Sequence, residues 1–222
     1  MQHRFESVEH ASLGASVYGH LREALIEGRL KPDDRLRIRE LADQFGTSVT
    51  PVRDAILRLA KEQALEMRSP RDIRVPVLDV PGYDEVYTLR LELEGLAAAT
   101  TAKRIQSHEL ELFKRNIEEN HQALSNGDME SAMRLNQRFH FHLVELAGLP
   151  LLERFIDSLW MRAGPVIALA YREFSERVAI QHHWEVLDAL VARSEEGARA
   201  AIRADIEDGY EMMAHFLSTL RR

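Results

Sequence analysis

Apolar positions recur along most of the chain at spacings of three and four residues, which predicts a mainly helical protein. One helix is expected over about 12–27, with Val17 and Leu21 on its buried face and Gly28 at its end. From Pro81 onward, glycines and prolines divide the helical pattern into about six segments, at 82–104, 107–125, 128–147, 150–171, 175–193 and 195–220. Broad apolar faces predict that these segments form an antiparallel all-α bundle around one core.

The segment RLRIRELADQFGTSVTPVR, residues 35–53, has the pattern of a helix-turn-helix. A first short helix is expected to end before Gly46, which can adopt a positive φ, and Ser48 stands where a second helix needs its N-cap. Pro51 falls in the first turn of that second helix, where its missing N–H costs nothing. The polar N-terminal end of the second helix would then be free to enter a DNA groove.

Two short alternating runs follow, at 64–68 and 73–75, and predict a small β-hairpin. Beside a helix-turn-helix such a hairpin is a wing. It would carry Arg68, Arg71 and Arg74 near phosphate or the minor groove, although an ordinary surface hairpin has the same pattern.

The charges are divided unevenly along the chain. Residues 1–76 contain 13 Lys and Arg and 12 Asp and Glu, whereas 77–222 contain 16 and 24, which together give the net charge of −7. Because the chain is not basic overall, contact with nucleic acid requires a local patch. Five residues next to the helix-turn-helix supply one: Arg29, Lys31, Arg35, Arg37 and Arg39.

Pro76 and Pro81 bracket a short connector. We therefore expect a winged helix-turn-helix DNA-binding domain at 1–77 and an all-helical ligand-binding and dimerisation domain at 78–222.

The chain has no cysteine, which excludes disulfides, thiolate metal sites and cysteine nucleophiles. Its first ten residues lack the apolar core of a signal peptide, and the longest apolar run, 163–171, is too short to cross a bilayer of about 30 Å. These features predict a soluble, cytoplasmic protein without a membrane partner.

The stretch LREALIEGRLKPDDRLRIRELADQFGTSVTPVRDAILRLAKEQAL resembles the winged head of GntR-type transcriptional regulators. The rest resembles the all-helical FCD effector domain of the FadR branch, and most nearly its VanR-like subgroup. The resemblance lies in three stretches: Arg90, Leu93 and Glu94, then NQRFHFHLVELAGLPLL, and then HHWEVLDAL. The resemblance implies a homodimeric, ligand-responsive regulator of a palindromic operator, commonly a repressor that a small organic acid releases.

By this resemblance Arg39, Ser48, Thr50 and Arg53 correspond to residues that contact operator DNA. Their chemistry is suitable, because Arg can fork to guanine or grip phosphate, and hydroxyls at a helix N-terminus can hold a phosphate oxygen. Val49 stands where the family commonly has a base-reading Arg, so direct readout is expected to be reduced or to shift towards thymine methyl groups.

The predicted wing departs from the family pattern. Asp72 and Ala64 stand where the family usually has glycines, so the wing contact that we assign to Arg71 is the DNA contact least supported by the resemblance.

Asn136 and His140 are four residues apart and so project from one face of a helix. In the FCD resemblance, these two residues with His183 and Asp205 match the metal-binding positions. Asp205 replaces the usual third His and makes the site richer in oxygen. The set could hold zinc, nickel or manganese, or could form a metal-free polar pocket that recruits the effector directly.

Arg90 occupies the position of the family's effector arginine and is a candidate to bind a small carboxylate. The alternative is an ion pair with Glu94, one turn further along the helix. Among nearby residues, His142 and His182 are expected to point to other faces, and Trp160, Met161 and Trp184 are expected mainly in the core.

Two other functions must be weighed against that of a DNA-binding regulator. A metal-dependent hydrolase could use the His and Asp cluster, but the chain has no Gly-rich phosphate loop, GxSxG or HExxH motif, and no obvious second carboxylate to act as a base. A helical interaction protein with a degenerate head would lack Arg39 and Arg53, and both are present. The sequence thus favours a DNA-binding regulator.

Overall fold

The structure is a computed structural model and describes residues 11–173 and 180–220. The N-terminal part, here called the head, contains α1 Ala11–Ile26, β1 Arg35–Leu36, α2 Ile38–Gln44, α3 Val49–Lys61, β2 Glu66–Ser69 and β3 Asp72–Arg74. The rest, here called the body, contains α4 Val80–Arg104, α5 Ser107–Ser125, α6 Met129–Ala147, α7 Pro150–Glu173, α8 Gln181–Val191 and α9 Glu195–Leu220. The protein is therefore mainly α-helical, as the sequence predicts.

The predicted helix-turn-helix is present. Gly46 has a φ of +61° between α2 and α3, a conformation that glycine adopts without strain. Ser48 is the N-cap residue of α3 in extended conformation, although its side chain makes no capping hydrogen bond. The buried face of α3, which includes Val52, Ile56 and Leu59, packs against α1 and fixes the opposite face towards solvent.

The predicted hairpin is also present, as β2 and β3, and it belongs to a three-stranded antiparallel sheet in the order β1-β3-β2. The sequence analysis did not predict β1, because a strand of two residues is too short to show alternation. The register places Arg35 opposite Arg74 across β1 and β3.

The six body segments are close to the predicted bounds. The part of the segment predicted at 175–193 that falls on 175–179 lies outside the described residues, and α8 begins at Gln181. No helix of the described part combines the length and the apolar character that a membrane span needs.

Head and body share one apolar cluster. It runs from Leu25 and Ile56 in the head to Trp160, Val166 and Leu217 in the body. A second cluster lies within the body, between α4, α5, α6, α8 and α9. Trp160 and Met161 are buried as expected, whereas Trp184 is half-buried at the edge of the second cluster.

Helix α7 of the body contacts the head through polar side chains and through a close approach of its backbone to α1. Arg22 of α1 forms an ion pair with Asp157, and the Ser158 hydroxyl donates a hydrogen bond to the Glu62 carbonyl, 3.1 Å away. Further along α7, Gly164 packs against the carbonyl end of α1 at Ile26. Trp160, which also belongs to α7, lines the cavity of the body in which the candidate site lies.

Candidate effector and DNA-binding sites

The predicted body residues converge from four helices. Arg90 lies on α4, Asn136 and His140 on α6, and Asp205 on α9, and all four line a cavity of about 110 Å³. His183 of α8 is fully buried next to it, with its Nε2 atom 3.4 Å from Asp205 Oδ1. The remaining walls come mostly from aromatic and apolar side chains: Tyr83, Trp160, Ile167, Tyr171, Ile206 and Met213.

His140 is held between two carboxylates. Its Nδ1 atom lies 2.7 Å from Glu94 Oε2, and its Nε2 atom lies 3.2 Å from Asp205 Oδ2. Burial alone would lower the pKa of His140, but the charges of Glu94 and Asp205 and their hydrogen bonds outweigh it and raise the pKa to about 9. A metal ion at Nε2 would therefore have to displace a proton from this ring.

The cluster has the donor chemistry of a divalent metal site. His140, His183 and Asp205 each offer one ligand atom, and these atoms all lie within 4.8 Å of one another. Within the described residues, both ring nitrogens of His183 are buried without a hydrogen-bond partner, an arrangement that a bound group would relieve. Burial lowers the pKa of His183 to about 4, so its ring is neutral and able to coordinate.

The Asp205 carboxylate stays ionised in this setting. Burial would raise its pKa, but the nearby His183 and the hydrogen bond with His140 bring the pKa down to about 2. Asn136 adds an amide group from the turn of α6 before His140. The residues that sequence reasoning selected thus fit a divalent ion with two imidazoles and oxygen donors.

Glu94 is the site residue whose role the sequence analysis missed, because it appeared there only as the alternative partner of Arg90. That ion pair is present and buried, with Arg90 Nε 2.6 Å from Glu94 Oε1. Glu94 also accepts a hydrogen bond from the Trp160 indole N–H at 3.1 Å and contacts His140. A second carboxylate thus lies against His140, engaged by Arg90 and Trp160, and the i,i+4 spacing of Arg90 and Glu94 was the sequence signal for their ion pair.

Charge balance keeps Arg90 and Glu94 ionised. Burial would raise the pKa of Glu94, but Arg90 and His140 hold it at about 2. Arg90 also lies over the Trp160 ring, with its Cζ atom 4.3 Å from the ring centroid. Burial raises the pKa of Tyr83 to about 12 and raises that of Tyr171, so both phenols that line the cavity are neutral hydroxyls.

The two neighbouring histidines differ in their placement. His142 faces away from the cavity and packs against Phe113 of α5, with the ring centroids 4.7 Å apart. His182 also lines the cavity, contrary to the expectation that it would point elsewhere, and its ring nitrogens lie 2.7 Å from Glu185 and 3.0 Å from Asp208.

The predicted DNA-contacting residues lie on the helix-turn-helix, with Arg39 in the first turn of α2, Ser48 at the N-cap of α3, and Thr50 and Arg53 in the first turns of α3. Arg39, Ser48, Thr50 and Arg53 are all exposed. Neither arginine forms an ion pair within the described residues, so their charges are available to a partner. Because the Ser48 side chain makes no capping bond, its hydroxyl and the first backbone N–H groups of α3 are open to an anion.

The cationic patch expected from the sequence carries less free positive charge than its five Lys and Arg residues suggest. Three of its five members face carboxylates: Arg29 faces Glu27, Arg35 faces Asp72 and Arg37 faces Glu40. In the wing, Arg68 and Arg74 are likewise within 4.0 Å of acidic side chains. Arg71 is exposed between β2 and β3 and has no ion pair in the part of the chain that the structure describes.

An exposed helix-turn-helix whose Arg39 and Arg53 form no ion pair within the described residues, joined to a helical domain with a cavity that holds several polar and charged groups, defines a ligand-responsive DNA-binding regulator. The family comparison gives the same class. The model described as bacterial regulatory proteins of the gntR family matches residues 13–75, and the FCD domain model matches 85–208. The chain belongs to the GntR family of transcriptional regulators and carries an FCD domain.

Relatives span nearly the whole chain. The HTH-type transcriptional regulator McbR of Escherichia coli K12 is 33% identical over 195 residues, 86% of this chain and 88% of McbR. The Nta operon transcriptional regulator of Aminobacter aminovorans is 25% identical over 189 residues, 84% of this chain and 88% of that protein. The HTH-type transcriptional repressor RspR of Escherichia coli K12 is 20% identical over 193 residues, 86% and 85% of the two chains.

Solved structures agree on the fold. The E. coli McbR/YncC structure superimposes with a TM-score of 0.83 at 30% identity, covering 93% of this chain and 99% of that one. A GntR regulator from Rhodococcus sp. RHA1 reaches a TM-score of 0.76 at 21% identity, covering 92% and 99%, and supports the fold alone. The chain is thus a regulator and not an enzyme, so the hydrolase reading is excluded.

Proposed function

We propose that this regulator is a homodimeric repressor of the FadR branch, which leaves a palindromic operator when a small organic acid enters the body cavity together with a divalent metal ion. The observation that carries the proposal is the convergence of His140, His183 and Asp205, two of which line one cavity together with Arg90, while His183 is buried next to it. Operator binding requires access to the chromosome, which in a bacterium places the protein in the cytoplasm.

The head would bind DNA through the N-terminal end of α3. Thr50 and Arg53 face solvent from its first turns, Ser48 is its N-cap residue with an unengaged hydroxyl in the described structure, and Arg39 lies at the start of α2. In a homodimer, two such helices would meet major-groove faces about 34 to 36 Å apart, which is one turn of DNA. Arg71 would add a contact from the wing.

The metal would be held by His140, His183 and Asp205, with Asn136 as a further oxygen donor. A bound zinc, nickel or manganese ion supplies Lewis-acid coordination for one carboxylate oxygen of an effector. Arg90 would orient the same carboxylate. Two of its guanidinium nitrogens, Nε and one Nη, already face Glu94, and the other Nη has no acceptor within the described residues.

The lining of the cavity limits the effector. Arg90 is the only arginine or lysine among the described lining residues, and aromatic and apolar side chains form most of the walls. This supports a small acid with one carboxylate. The Tyr83 and Tyr171 hydroxyls, both neutral, would suit a hydroxyl or keto group next to the carboxylate.

The required coupling energy is modest. To change operator occupancy about 100-fold, the effector must bind the two states of the protein with a difference of about 2.7 kcal/mol. A charge-assisted bond to Arg90 together with coordination to a metal is sufficient for such a difference.

The test begins with DNA fragments selected by the purified protein from a random pool, which identify the operator. Operator binding is then measured against a panel of two- to four-carbon carboxylic acids, with and without added zinc, nickel or manganese. We expect one acid to weaken operator binding at least about tenfold, and only in the presence of metal. If a carboxylic acid still weakens operator binding in the presence of EDTA, the proposed role of the metal is contradicted. Direct recruitment of the effector by Arg90 is then supported.

A further inference from the structure

We infer that α7 is the element through which the body cavity controls the reading helix α3, because two polar side chains of α7, Ser158 and Arg162, hold the C-terminal end of α3. These two residues are here called the α7 clamp. The inference deepens the proposed function and rests on it, since it takes the body cavity as the effector site. What it adds is the route by which the cavity and the operator-binding surface influence each other.

The α7 clamp binds two consecutive residues at the end of α3. The Ser158 hydroxyl donates a hydrogen bond to the carbonyl of Glu62, the C-cap residue of α3, at 3.1 Å. Arg162 Nη1 donates to the side-chain oxygen of Gln63 at 2.7 Å. Gln63 has a φ of +58°, which residues other than glycine rarely adopt and which persists where neighbouring contacts hold it. The end of α3 is thus bound to α7 through a backbone group and a side chain.

Helix α1 holds the same end of α3 and is itself bound to α7. The Tyr18 hydroxyl donates to Glu62 Oε2 at 2.6 Å, and Arg58 Cζ lies 3.7 Å from the centroid of the Tyr18 ring. Arg22 Nε of α1 lies 2.6 Å from Asp157 Oδ1 of α7. Among the described elements, α7 is the body helix that packs extensively against a helix of the head. A movement of α7 would therefore reach α3 both directly and through α1.

The opposite face of α7 lines the body cavity. Ser158 and Arg162 are four residues apart and share one face of the helix, whereas Trp160 lies two residues from each and so points to the other side. The Trp160 indole N–H donates to Glu94 at 3.1 Å, and the Arg90 guanidinium lies over its ring. A carboxylate bound by Arg90 would therefore act on a ring that α7 carries.

The length of α3 enlarges a small movement at the clamp. With 13 residues at a rise of about 1.5 Å each, α3 is about 20 Å long. A tilt of about 5° around its clamped end would move the N-terminal turn, which carries Thr50 and Arg53, by about 2 Å. N–H···O hydrogen bonds span only about 2.7 to 3.2 Å, so this movement is enough to break a contact with a base or a phosphate.

The experiment uses the operator in place of an effector. Coupling between two sites is reciprocal, so operator binding must alter the cavity if the cavity alters operator binding. In a Trp184→Phe background, Trp160 is the only tryptophan left in the sequence. The full-length protein is titrated with the operator fragment selected from the random pool. We expect a saturable change in Trp160 emission, at the DNA concentrations at which anisotropy shows binding.

Ser158→Ala combined with Arg162→Met removes both bonds of the clamp. We expect this double variant to bind the operator within about threefold of the parent protein and to lose at least about four fifths of the emission change. Gln63→Gly removes one bond, suits the positive φ, and should lose part of the change. The control is Arg154→Met, an exposed arginine of α7 without a bond to the head in the described residues, and it should keep the whole change.

A full emission change in the double variant, or none in the Trp184→Phe protein, overturns the inference. If the double variant does not fold, an undiminished change in Gln63→Gly overturns it. An equal loss in Val77→Gly does so too, because Val77 lies in the exposed connector before α4 and the coupling would then run through the connector. The panel of acids and metals tests the proposed function separately: an emission change without any acid response would refute the effector and leave the α7 route in place.

Discussion

Gly164 of α7 lies against Ile26 at the end of α1, and a β-carbon at position 164 would be 2.5 Å from the Ile26 carbonyl oxygen. Gly164→Ala should therefore force α1 away from α7. We expect a loss of about 1 to 3 kcal/mol in the free energy of unfolding, the usual effect of overpacking. Urea denaturation measures this loss, and operator affinity should change as well because α1 supports the reading helix α3.

Gly19→Ala is the matched control in α1. A β-carbon there meets no atom within 4 Å, so the substitution should be neutral or should stabilise the helix by about 0.5 to 1 kcal/mol. If Gly164→Ala proved as stable as the wild type, the close packing of α1 on α7 would be disproved.

Arg53 lies on the exposed face of α3 and forms no ion pair with any residue that the structure describes. Arg53→Ala should weaken operator binding by about 1 to 3 kcal/mol and, if the contact is to phosphate, reduce the salt slope by about one unit. Fluorescence anisotropy at several salt concentrations measures both quantities.

Lys61→Ala removes the same charge from the other end of α3 and should leave affinity nearly unchanged, which separates a specific contact from a change in net charge. Equal losses in the two variants would remove Arg53 from the interface. Circular dichroism should show that both variants keep the helical content of the wild type.

The two wing arginines Arg71 and Arg74 should differ in their contribution to operator affinity, because only Arg74 forms ion pairs within the described residues. Arg71→Ala should weaken operator binding, because this side chain has no acidic partner within the described residues. Arg74→Ala should change the affinity less, because Arg74 lies 2.9 Å from Asp33 and 3.0 Å from Asp72. The same anisotropy titration compares them, and a larger loss for Arg74→Ala would show that the wing rearranges on DNA.

Metal binding should depend on His183. Zinc at about 100 times its Kd should stabilise the folded protein by about 2.7 kcal/mol, visible as a rise in Tm. His183→Phe should abolish that rise, whereas His121→Ala, an exposed His of α5, should retain it. A zinc-induced rise of equal size in His183→Phe would place the ion elsewhere.

The buried pair of Arg90 and Glu94 should show strong energetic coupling. Arg90→Met leaves Glu94 with His140 and the Trp160 indole as its remaining partners, and we expect a loss of about 3 to 5 kcal/mol of stability. Adding Glu94→Gln should restore part of that loss, because the unpaired charge is removed. A double-mutant cycle in urea measures the coupling, and strictly additive losses would mean that the pair contributes nothing by itself.

The sequence predicted best where the signal is local. Gly46 and Ser48 are only two positions apart, and their backbone preferences alone locate the turn and the start of α3. Asn136 and His140 were paired by helix geometry, and the family resemblance supplied His183 and Asp205, which helical periodicity could not connect.

Features that depend on tertiary contacts could not be predicted from the sequence. The pair with Arg90 follows from the i,i+4 spacing on α4, but the contacts of Glu94 with His140 of α6 and Trp160 of α7 join separate helices, and no spacing in the chain encodes them. The pairing of wing arginines with acids depends on the register of three strands.

The apolar cluster shared by head and body limits how far the two parts can be treated as exchangeable modules. Because α1 fits the surface of α7 through Gly28, Gly164 and Ala168, a head grafted from another family member would meet an α7 face shaped for a different helix. A working chimera would have to carry both sides of this contact. DNA specificity in such proteins would then diversify by substitutions on the exposed face of α3 more readily than by exchange of whole heads.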